Sequence, residues 1–240
     1  MPFFEHNNAR IHYETRGNGP ALLLIAPGGM RSTVEAWERA PWNPLTEFSD
    51  QFQVIAMDQR NAGQSTGPIS GDDGWHTYRD DQLALMDHLG IDQFQTLGMC
   101  IGGPYCMGLI EAAPERVRSA VILQTIGRSA DNQAAFDQLF EGWAEGLRAQ
   151  HPELTDQDWA RFRNNMFGGD FLYNVSRDFV RQCQTPLLVL MGNDLYHPEA
   201  VSRELAELAP AAELIEYWKE PEHRQQGIET ARAFLQRHAS

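Results

Sequence analysis

Short apolar runs that alternate with segments of helical periodicity constrain the fold of this chain more than any other feature. Runs this short and this apolar are typical of parallel strands that are covered on both faces. The segments between them place apolar residues three or four positions apart, as amphipathic helices do, and strands that alternate with helices predict βαβ units and a mostly parallel sheet. An opening hairpin over about residues 3–14 would add an antiparallel edge. The five runs lie at 21–26, 52–57, 94–99, 117–123 and 187–191.

One stretch, residues 127–183, interrupts the alternation because it shows only helical periodicity. Apolar side chains recur at helical spacing over 136–147, 159–166 and 172–179. An all-helical insert between two parallel strands predicts a lid over the carboxyl edge of the sheet, where open α/β sheets bind ligands. The sequence therefore predicts an α/β core of residues 1–126 and 184–240, with a helical lid over 127–183.

The charge balance narrows the class of partner. Acidic residues outnumber basic ones by 33 to 19, and the formal net charge is −14. A surface this negative repels phosphate backbones and anionic lipids, which argues against nucleic acid and membrane partners. We therefore expect a small-molecule substrate that is neutral and partly apolar, bound by a monomer or a homodimer.

The start of the chain and its cysteines predict the compartment. The first ten residues lack the basic and apolar segments of a signal peptide, and no apolar run approaches the ~18 residues that span a bilayer. Three cysteines, Cys100, Cys106 and Cys183, are an odd and sparse set, typical of reduced thiols in the cytoplasm. Their spacing predicts no metal site, and no cofactor is expected.

The strongest chemical signal is the segment 98–103, Gly-Met-Cys-Ile-Gly-Gly, between an apolar strand and a helix. It is a G-x-C-x-G version of the nucleophile elbow, a sharp turn that holds its central side chain in a strained conformation. Free N–H groups at the start of the following helix would stabilise a thiolate and an oxyanion. We predict that Cys100 is a nucleophile, whereas Cys106 and Cys183 are ordinary buried thiols.

A glycine pair after the first parallel strand predicts the oxyanion site. The segment 26–30, Ala-Pro-Gly-Gly-Met, lets a backbone N–H face the catalytic cysteine. The predicted donors are the N–H groups of Gly29 and Ile101, with Met30 as the alternative to Gly29. An ordinary glycine turn would give the same pattern.

The acid and the base are expected after the late strands. Asp194 follows the run 187–191 and is the predicted acid, although aspartate is also common in turns. Two histidines lie late enough to be the base, His197 and His223. We predict His223, which gives the order nucleophile, acid, histidine, since His197 lies only three residues after the acid and would have trouble reaching the elbow.

These motifs resemble the α/β-hydrolase superfamily over nearly the whole chain. The segment 58–65, Asp-Gln-Arg-Asn-Ala-Gly-Gln-Ser, is similar to the family's D-x-R-G-x-G-x-S turn, in which Asp58 and Arg60 are interpreted as loop braces. The elbow with Cys100 resembles that of dienelactone hydrolases and the lipase-like box of polyhydroxyalkanoate synthases. The N-terminal half is more similar to the meta-cleavage-product and epoxide hydrolase branch. Epoxide hydrolases and haloalkane dehalogenases carry Asp at the elbow, so Cys100 argues against both activities.

Three positions depart from the superfamily pattern. Pro27 replaces the usual His before the oxyanion loop, the usual Gly before the catalytic His is absent, and the first loop lacks the glutamate of dienelactone hydrolases. The resemblance thus implies hydrolysis of an ester, thioester or lactone through a Cys-His-Asp triad. An acyltransferase with the same triad, or a non-catalytic receptor on a hydrolase scaffold, would carry the same motifs.

Aromatic residues of the predicted lid are open to two interpretations. Phe136, Phe140 and Trp143 lie on one helical stripe, and they could line an apolar pocket together with Met30. Such stripes more often form the core between neighbouring helices, which would remove most of them from the substrate.

Overall fold

The computed structural model describes residues 2–239, and its centre is an eight-stranded sheet. The strands span Phe3–His6 (β1), Ala9–Arg16 (β2), Ala21–Ile25 (β3), Gln53–Met57 (β4), Phe94–Met99 (β5), Val117–Leu123 (β6), Leu187–Leu190 (β7) and Ala212–Ile215 (β8). Their order in the sheet is β1-β2-β4-β3-β5-β6-β7-β8; the pairs β1–β2 and β2–β4 are antiparallel, and the pairs among β3 to β8 are parallel. This confirms the predicted mostly parallel sheet with a hairpin at one edge.

Helices cover both faces of this sheet. Leu23 faces one apolar cluster while Leu22 and Leu24 face the other, which explains why β3 is apolar without alternation. No helix within residues 2–239 combines the length and apolar character needed to cross a bilayer. The α-helices span Pro44–Glu47 (α1), Trp75–His88 (α2), Gly102–Ala112 (α3), Gln133–Arg148 (α4), Asp156–Phe167 (α5), Arg177–Gln182 (α6), Glu199–Leu208 (α7) and Arg224–Arg237 (α8), and short 3₁₀ helices span Gly29–Arg31 and Val34–Arg39.

The segment between β6 and β7 contains α4, α5 and α6 and, over residues 127–183, no strand. Thr155 caps α5 by accepting a hydrogen bond from the N–H of Asp158, which fixes where that helix begins. The periodicity over 172–179 was misleading, because α6 begins only at Arg177. Phe171 and Tyr173 have φ of +51° and +68°, a left-handed conformation that no helix can continue. That the segment acts as a lid stays a prediction.

Helix α4 lies directly on the 3₁₀ turn that follows β3. Gly29 has φ of +59°, a conformation that favours glycine, and a Cβ atom there would press on the side chain of Leu139. Trp143 donates a hydrogen bond from Nε1 to the carbonyl of Asn61 at 3.2 Å, and Arg31 donates one to the carbonyl of Gly142. These contacts place α4 above the carboxyl edge of the sheet.

Candidate active site

Cys100 occupies a strained turn between β5 and α3. Its φ is +62°, a left-handed conformation that costs about 1–3 kcal/mol for a residue with a side chain. A Cβ atom at Gly98 would collide with the carbonyl of Gly102, and one at Gly102 would collide with the carbonyl of Ile25. The flanking glycines are therefore required for the turn to close, as the nucleophile-elbow motif predicts. The turn leaves the Cys100 side chain half-buried at the carboxyl edge.

Two backbone N–H groups, those of Gly28 and Ile101, lie close enough to the Cys100 sulfur to lower the pKa of the thiol. Ile101 was predicted, whereas Gly28 was not. Gly29, the other predicted donor, lines the same cavity with φ of +59°, while the alternative, Met30, is buried in the core and does not line it. Because an oxyanion lies near the nucleophile, the N–H groups that already face the sulfur are well placed to reach it.

Asp194 and His197 form one closed turn after β7. The N–H of each residue donates to the carbonyl of the other at 3.2 Å, and Nδ1 of His197 lies 2.8 and 2.9 Å from the two carboxylate oxygens of Asp194. The carboxylate also accepts the N–H of Tyr196 at 3.0 Å. Gly192 makes the turn possible, since a Cβ atom there would collide with His197. Asp194 therefore orients the imidazole through Nδ1.

The imidazole of His197 lies beside the Cys100 thiol. With Nδ1 bound to Asp194, Nε2 is the ring nitrogen left for the sulfur; it is buried and has no partner of ordinary hydrogen-bond geometry within residues 2–239. The thiol and the ring are nonetheless close enough for each to shift the pKa of the other, and both line one cavity. The side chains of Cys100, His197 and Asp194 thus lie next to one another in that order.

The structure does not bring His223, the histidine chosen from the sequence, into this group. His223 immediately precedes α8, where its ring lies 5.7 Å from that of Tyr217, and it does not line the cavity. Its strand, β8, is the outermost of the sheet, with β7 and β6 between it and β5. The expectation that His197, three residues after Asp194, could not reach the elbow is wrong, because the closed turn places its ring between Asp194 and Cys100.

The electrostatics of the site shift Cys100 toward its thiolate form and His197 toward its imidazolium form. Burial acts to raise the pKa of the Cys100 thiol, but His197 and the two backbone N–H groups outweigh it, so the pKa is lowered from its ordinary value. Burial acts to lower the pKa of His197, but Cys100 and Asp194 outweigh it and the pKa is raised. Burial acts to raise the pKa of the Asp194 carboxyl, but the contact with His197 outweighs it, so this pKa is lowered.

A cavity of about 250 Å³ opens above Cys100. Its polar wall consists of the nucleophile, His197 and the backbone of Gly28 and Gly29. Within residues 2–239, no other side chain that lines the cavity carries a charge. The remaining wall is apolar or aromatic and consists of Ile101, Ile126, Phe136, Leu139, Phe167 and Tyr196.

The predicted pocket residues divide between this cavity and the core. Phe136 lines the cavity. Phe140 and Trp143 instead pack against Phe162, with ring centroids 5.2 and 5.7 Å from it, and form the internal core of α4 and α5. Tyr196 and Leu139 were not identified from the sequence, although Leu139 lies on the same helical stripe as Phe136, one turn further along.

The Asp58 motif braces loops, as its structural interpretation predicts. The Asp58 carboxylate accepts the N–H groups of Val34 and Gln64 at 2.8 and 2.9 Å and lies 3.0 Å from Nδ1 of His12. Arg60 makes a two-pronged ion pair with buried Asp81. Within residues 2–239, no three His, Cys, Asp or Glu side chains are placed to share a metal ion.

The chain belongs to the α/β-hydrolase fold family, whose sequence model matches residues 21–174. Among its relatives, haloalkane dehalogenase 2 of Mycobacterium tuberculosis (strain CDC 1551 / Oshkosh) is 30% identical over 55% of this chain and 44% of its own length. The 3-oxoadipate enol-lactonase 2 of Acinetobacter baylyi is 29% identical over 52% of this chain and 45% of its own length. The chain thus matches less than half the length of each of these curated relatives.

Solved structures share the fold over nearly the whole chain. An enol-lactonase from Burkholderia xenovorans LB400 superposes with a TM-score of 0.71 at 22% identity, covering 98% of this chain and 100% of that one. A meta-cleavage product hydrolase from Pseudomonas fluorescens IP01 superposes with a TM-score of 0.73 at 18% identity, covering 99% and 98%. At these identities the likeness shows the fold alone.

The lowered thiol pKa predicts how Cys100 reacts with iodoacetamide as pH falls. Only the thiolate reacts, so a thiol with the ordinary pKa of ~8.5 loses roughly 25-fold in rate between pH 9 and pH 7. Because the pKa of Cys100 is lowered, its rate should fall less over this window, and His197→Gln should restore the steeper fall. Burial raises the pKa of Cys106 to about 12 and raises that of Cys183, so both should react later. Peptide mapping after limited labelling measures this order, and label on Cys106 or Cys183 ahead of Cys100 would contradict it.

Proposed function

We propose that this protein hydrolyses a carboxylic ester, thioester or lactone through an acyl intermediate on Cys100. The observation that carries the proposal is the contact between a strained elbow cysteine of lowered pKa and His197, itself oriented by Asp194. An enol-lactonase and a carboxylesterase among its relatives, the latter from Bacillus subtilis, support this type of bond. The dehalogenase name of another relative is not carried over, because a cysteine stands at the elbow.

In the proposed first half-reaction, the Cys100 thiolate attacks the carbonyl carbon of the substrate. The carbonyl oxygen becomes an oxyanion that accepts N–H groups of Ile101 and of the Gly28–Gly29 backbone. Protonated His197 donates its Nε2 proton to the leaving oxygen or sulfur, and the carbon–heteroatom bond breaks. The products are a free alcohol or thiol, an acyl thioester on Cys100 and neutral His197.

In the proposed second half-reaction, neutral His197 accepts a proton from water while the water oxygen attacks the thioester carbonyl. The tetrahedral intermediate collapses, the carboxylic acid leaves and the Cys100 thiolate returns beside protonated His197. Asp194 stabilises the positive charge on the ring in both halves. Delivery of the acyl group to an alcohol or amine in place of water would make the same site an acyltransferase.

The experiment that tests this proposal mixes the protein with excess p-nitrophenyl phenylacetate. We expect a burst of p-nitrophenol close to one equivalent, followed by slower turnover, and an acid-quenched protein heavier by one phenylacetyl group on Cys100. Analysis of the products with and without an added alcohol distinguishes hydrolysis from transfer. Absence of both burst and adduct with every activated ester tried would reject the proposal in favour of a binding protein.

A further inference from the structure

We propose that the acyl group bound above Cys100 is a neutral aromatic one, of about phenylacetyl size; this rests on the proposed acyl transfer to Cys100. The rings of Phe136 and Phe167 are stacked in the cavity wall, with centroids 5.2 Å apart and planes 25° from parallel. Tyr196 meets Phe136 edge to face, at 5.7 Å and 88°. Three aromatic side chains therefore surround the space that an acyl group on the nucleophile would enter.

The size and charge of the cavity agree with a single ring and a short linker. An engineered protein cavity of ~150 Å³ holds benzene, and the cavity here is about 250 Å³. Aromatic rings bind other rings edge to face or offset at 4.5–7 Å, a geometry that an aryl group meets better than a linear chain does. A carboxylate on the acyl group would lie unpaired in an apolar wall and near the Cys100 thiolate, which makes it costly to bury.

The test compares p-nitrophenyl esters that share one leaving group and differ in the acyl group. We expect kcat/KM to decrease in the order phenylacetyl, hexanoyl, acetyl, hemisuccinyl, with phenylacetyl at least about 100-fold above hemisuccinyl. Phe136→Leu should lower the phenylacetyl-to-hexanoyl ratio by about 2- to 10-fold. Phe140→Leu is the matched control, since Phe140 lies one turn away on the same helix but in the core between α4 and α5, and it should leave the ratio unchanged.

The outcomes separate this inference from the proposed function. A hemisuccinyl or hexanoyl ester that matches the phenylacetyl ester, or a ratio that Phe136→Leu does not alter, would overturn the aromatic acyl site while the adduct on Cys100 still forms. Failure of every ester to acylate Cys100 would instead reject the proposed function.

A second inference comes from a different observation: the geometry assigns Asn132 as a positioning residue for the Asp194–His197 turn. The Asn132 side chain is fully buried just before α4, and it does not cap that helix. Its Nδ2 donates to the carbonyls of Gly127 at 2.8 Å and Leu195 at 3.2 Å, and its Oδ1 accepts the N–H of Ser129 at 3.0 Å. Leu195 lies between the proposed acid and the proposed base, so one amide ties the catalytic turn to the beginning of α4.

This link matters because the catalytic turn is otherwise closed mainly on itself. The hydrogen bonds of Asp194 described above all go to residues 196 and 197. Loss of the Asn132 amide would free the turn to shift relative to Cys100 without breaking the contact between Asp194 and His197. Phe136, which lines the cavity, lies one helical turn after Asn132. The beginning of α4 therefore carries both a wall of the proposed substrate site and the residue that holds the turn of the proposed base.

Kinetics of Asn132→Ala test this role. We expect kcat to fall by about 10-fold or more with KM changed less than 3-fold, and the pH profile of Cys100 alkylation to move toward that of an ordinary thiol. Asn165→Ala removes a different link, from α5 to the carbonyls of Gly71 and Asp73, and should leave the alkylation profile unchanged.

Far-UV circular dichroism and thermal melts establish that each variant is folded before it is compared. An Asn132→Ala protein that is folded and keeps both kcat and the parent alkylation profile would overturn the positioning role. So would an Asn165→Ala protein that shows the same shift, because the effect would then be general to the helical segment. Asn132→Ser, which is smaller but retains a donor, supplies the measurement if the alanine variant does not fold.

Discussion

Replacing Cys100 with Ala is expected to lower kcat/KM for p-nitrophenyl phenylacetate by at least about 10³-fold and to abolish both the burst and the mass adduct. The substitution removes the only atom proposed to bond to the acyl carbon, while it leaves the backbone N–H groups of Gly28 and Ile101 in place. Those groups can still polarise a bound ester, so a small residual rate above that in water should persist. Stopped-flow absorbance and intact-protein mass spectrometry measure both effects.

Two further variants make this result specific. Cys106→Ala is the matched control, because Cys106 is fully buried beneath the elbow and its pKa is raised to about 12, so turnover should be preserved. Cys100→Ser retains a nucleophile but replaces a thiolate by a hydroxyl that stays protonated near neutral pH, and it should lose most activity. A large rise in activity in Cys100→Ser would show that the site is built for a serine, and full activity in Cys100→Ala would refute the nucleophile.

Replacing His197 with Ala is expected to lower kcat by about 10²–10⁴-fold, the range of general acid–base catalysis. The variant loses the proton donor of the first half-reaction, the base of the second and the positive charge that stabilises the thiolate. The double variant Cys100→Ala/His197→Ala should be little worse than either single one, since the two side chains act as a unit. Steady-state rates over pH 6 to 9 measure the loss.

His223→Ala is the matched comparison for His197→Ala. His223 is half-buried before α8 and lies outside the cavity, so its loss should leave kcat and KM close to those of the parent protein. If His223→Ala were inactive while His197→Ala remained active, the base chosen from the sequence would be reinstated and the contact seen in the structure would have no catalytic role.

The order and type of the core elements could be predicted because the parallel strands are short and apolar, and most of them are separated by segments of helical periodicity. The strand bounds differ from the predicted ones by one or two residues at most, as for the run 52–57, which becomes β4 at Gln53–Met57. The pattern over 172–179 failed for a physical reason: Leu172 and Val175 are buried without being helical, because burial selects apolar residues in irregular segments as well.

At the candidate active site, the need for small residues around Cys100 could be predicted from the sequence, whereas the direction in which a turn points the His197 ring could not. The spacing of Gly98, Cys100 and Gly102 specifies an elbow because few other backbones need small residues at those positions. The choice between His197 and His223 depends on whether four residues close into a turn. That closure depends on Gly192 and on a hydrogen bond from Asn132 to the carbonyl of Leu195, which lies 63 positions later in the sequence. Neither contact leaves a periodic signal.

The turn that holds Asp194 and His197 has a consequence for how this protein could vary. In a site whose acid and base follow different strands, each change in the sheet alters their separation. Here four consecutive residues fix that separation, so the Asp194–His197 pair would move as one unit. Only the position of the whole turn relative to Cys100 would change. The connection from β8 to α8, residues 216–223, supplies no residue to the proposed mechanism. It should therefore accept replacement, insertion or a fused peptide more readily than the connection from β7 to α7.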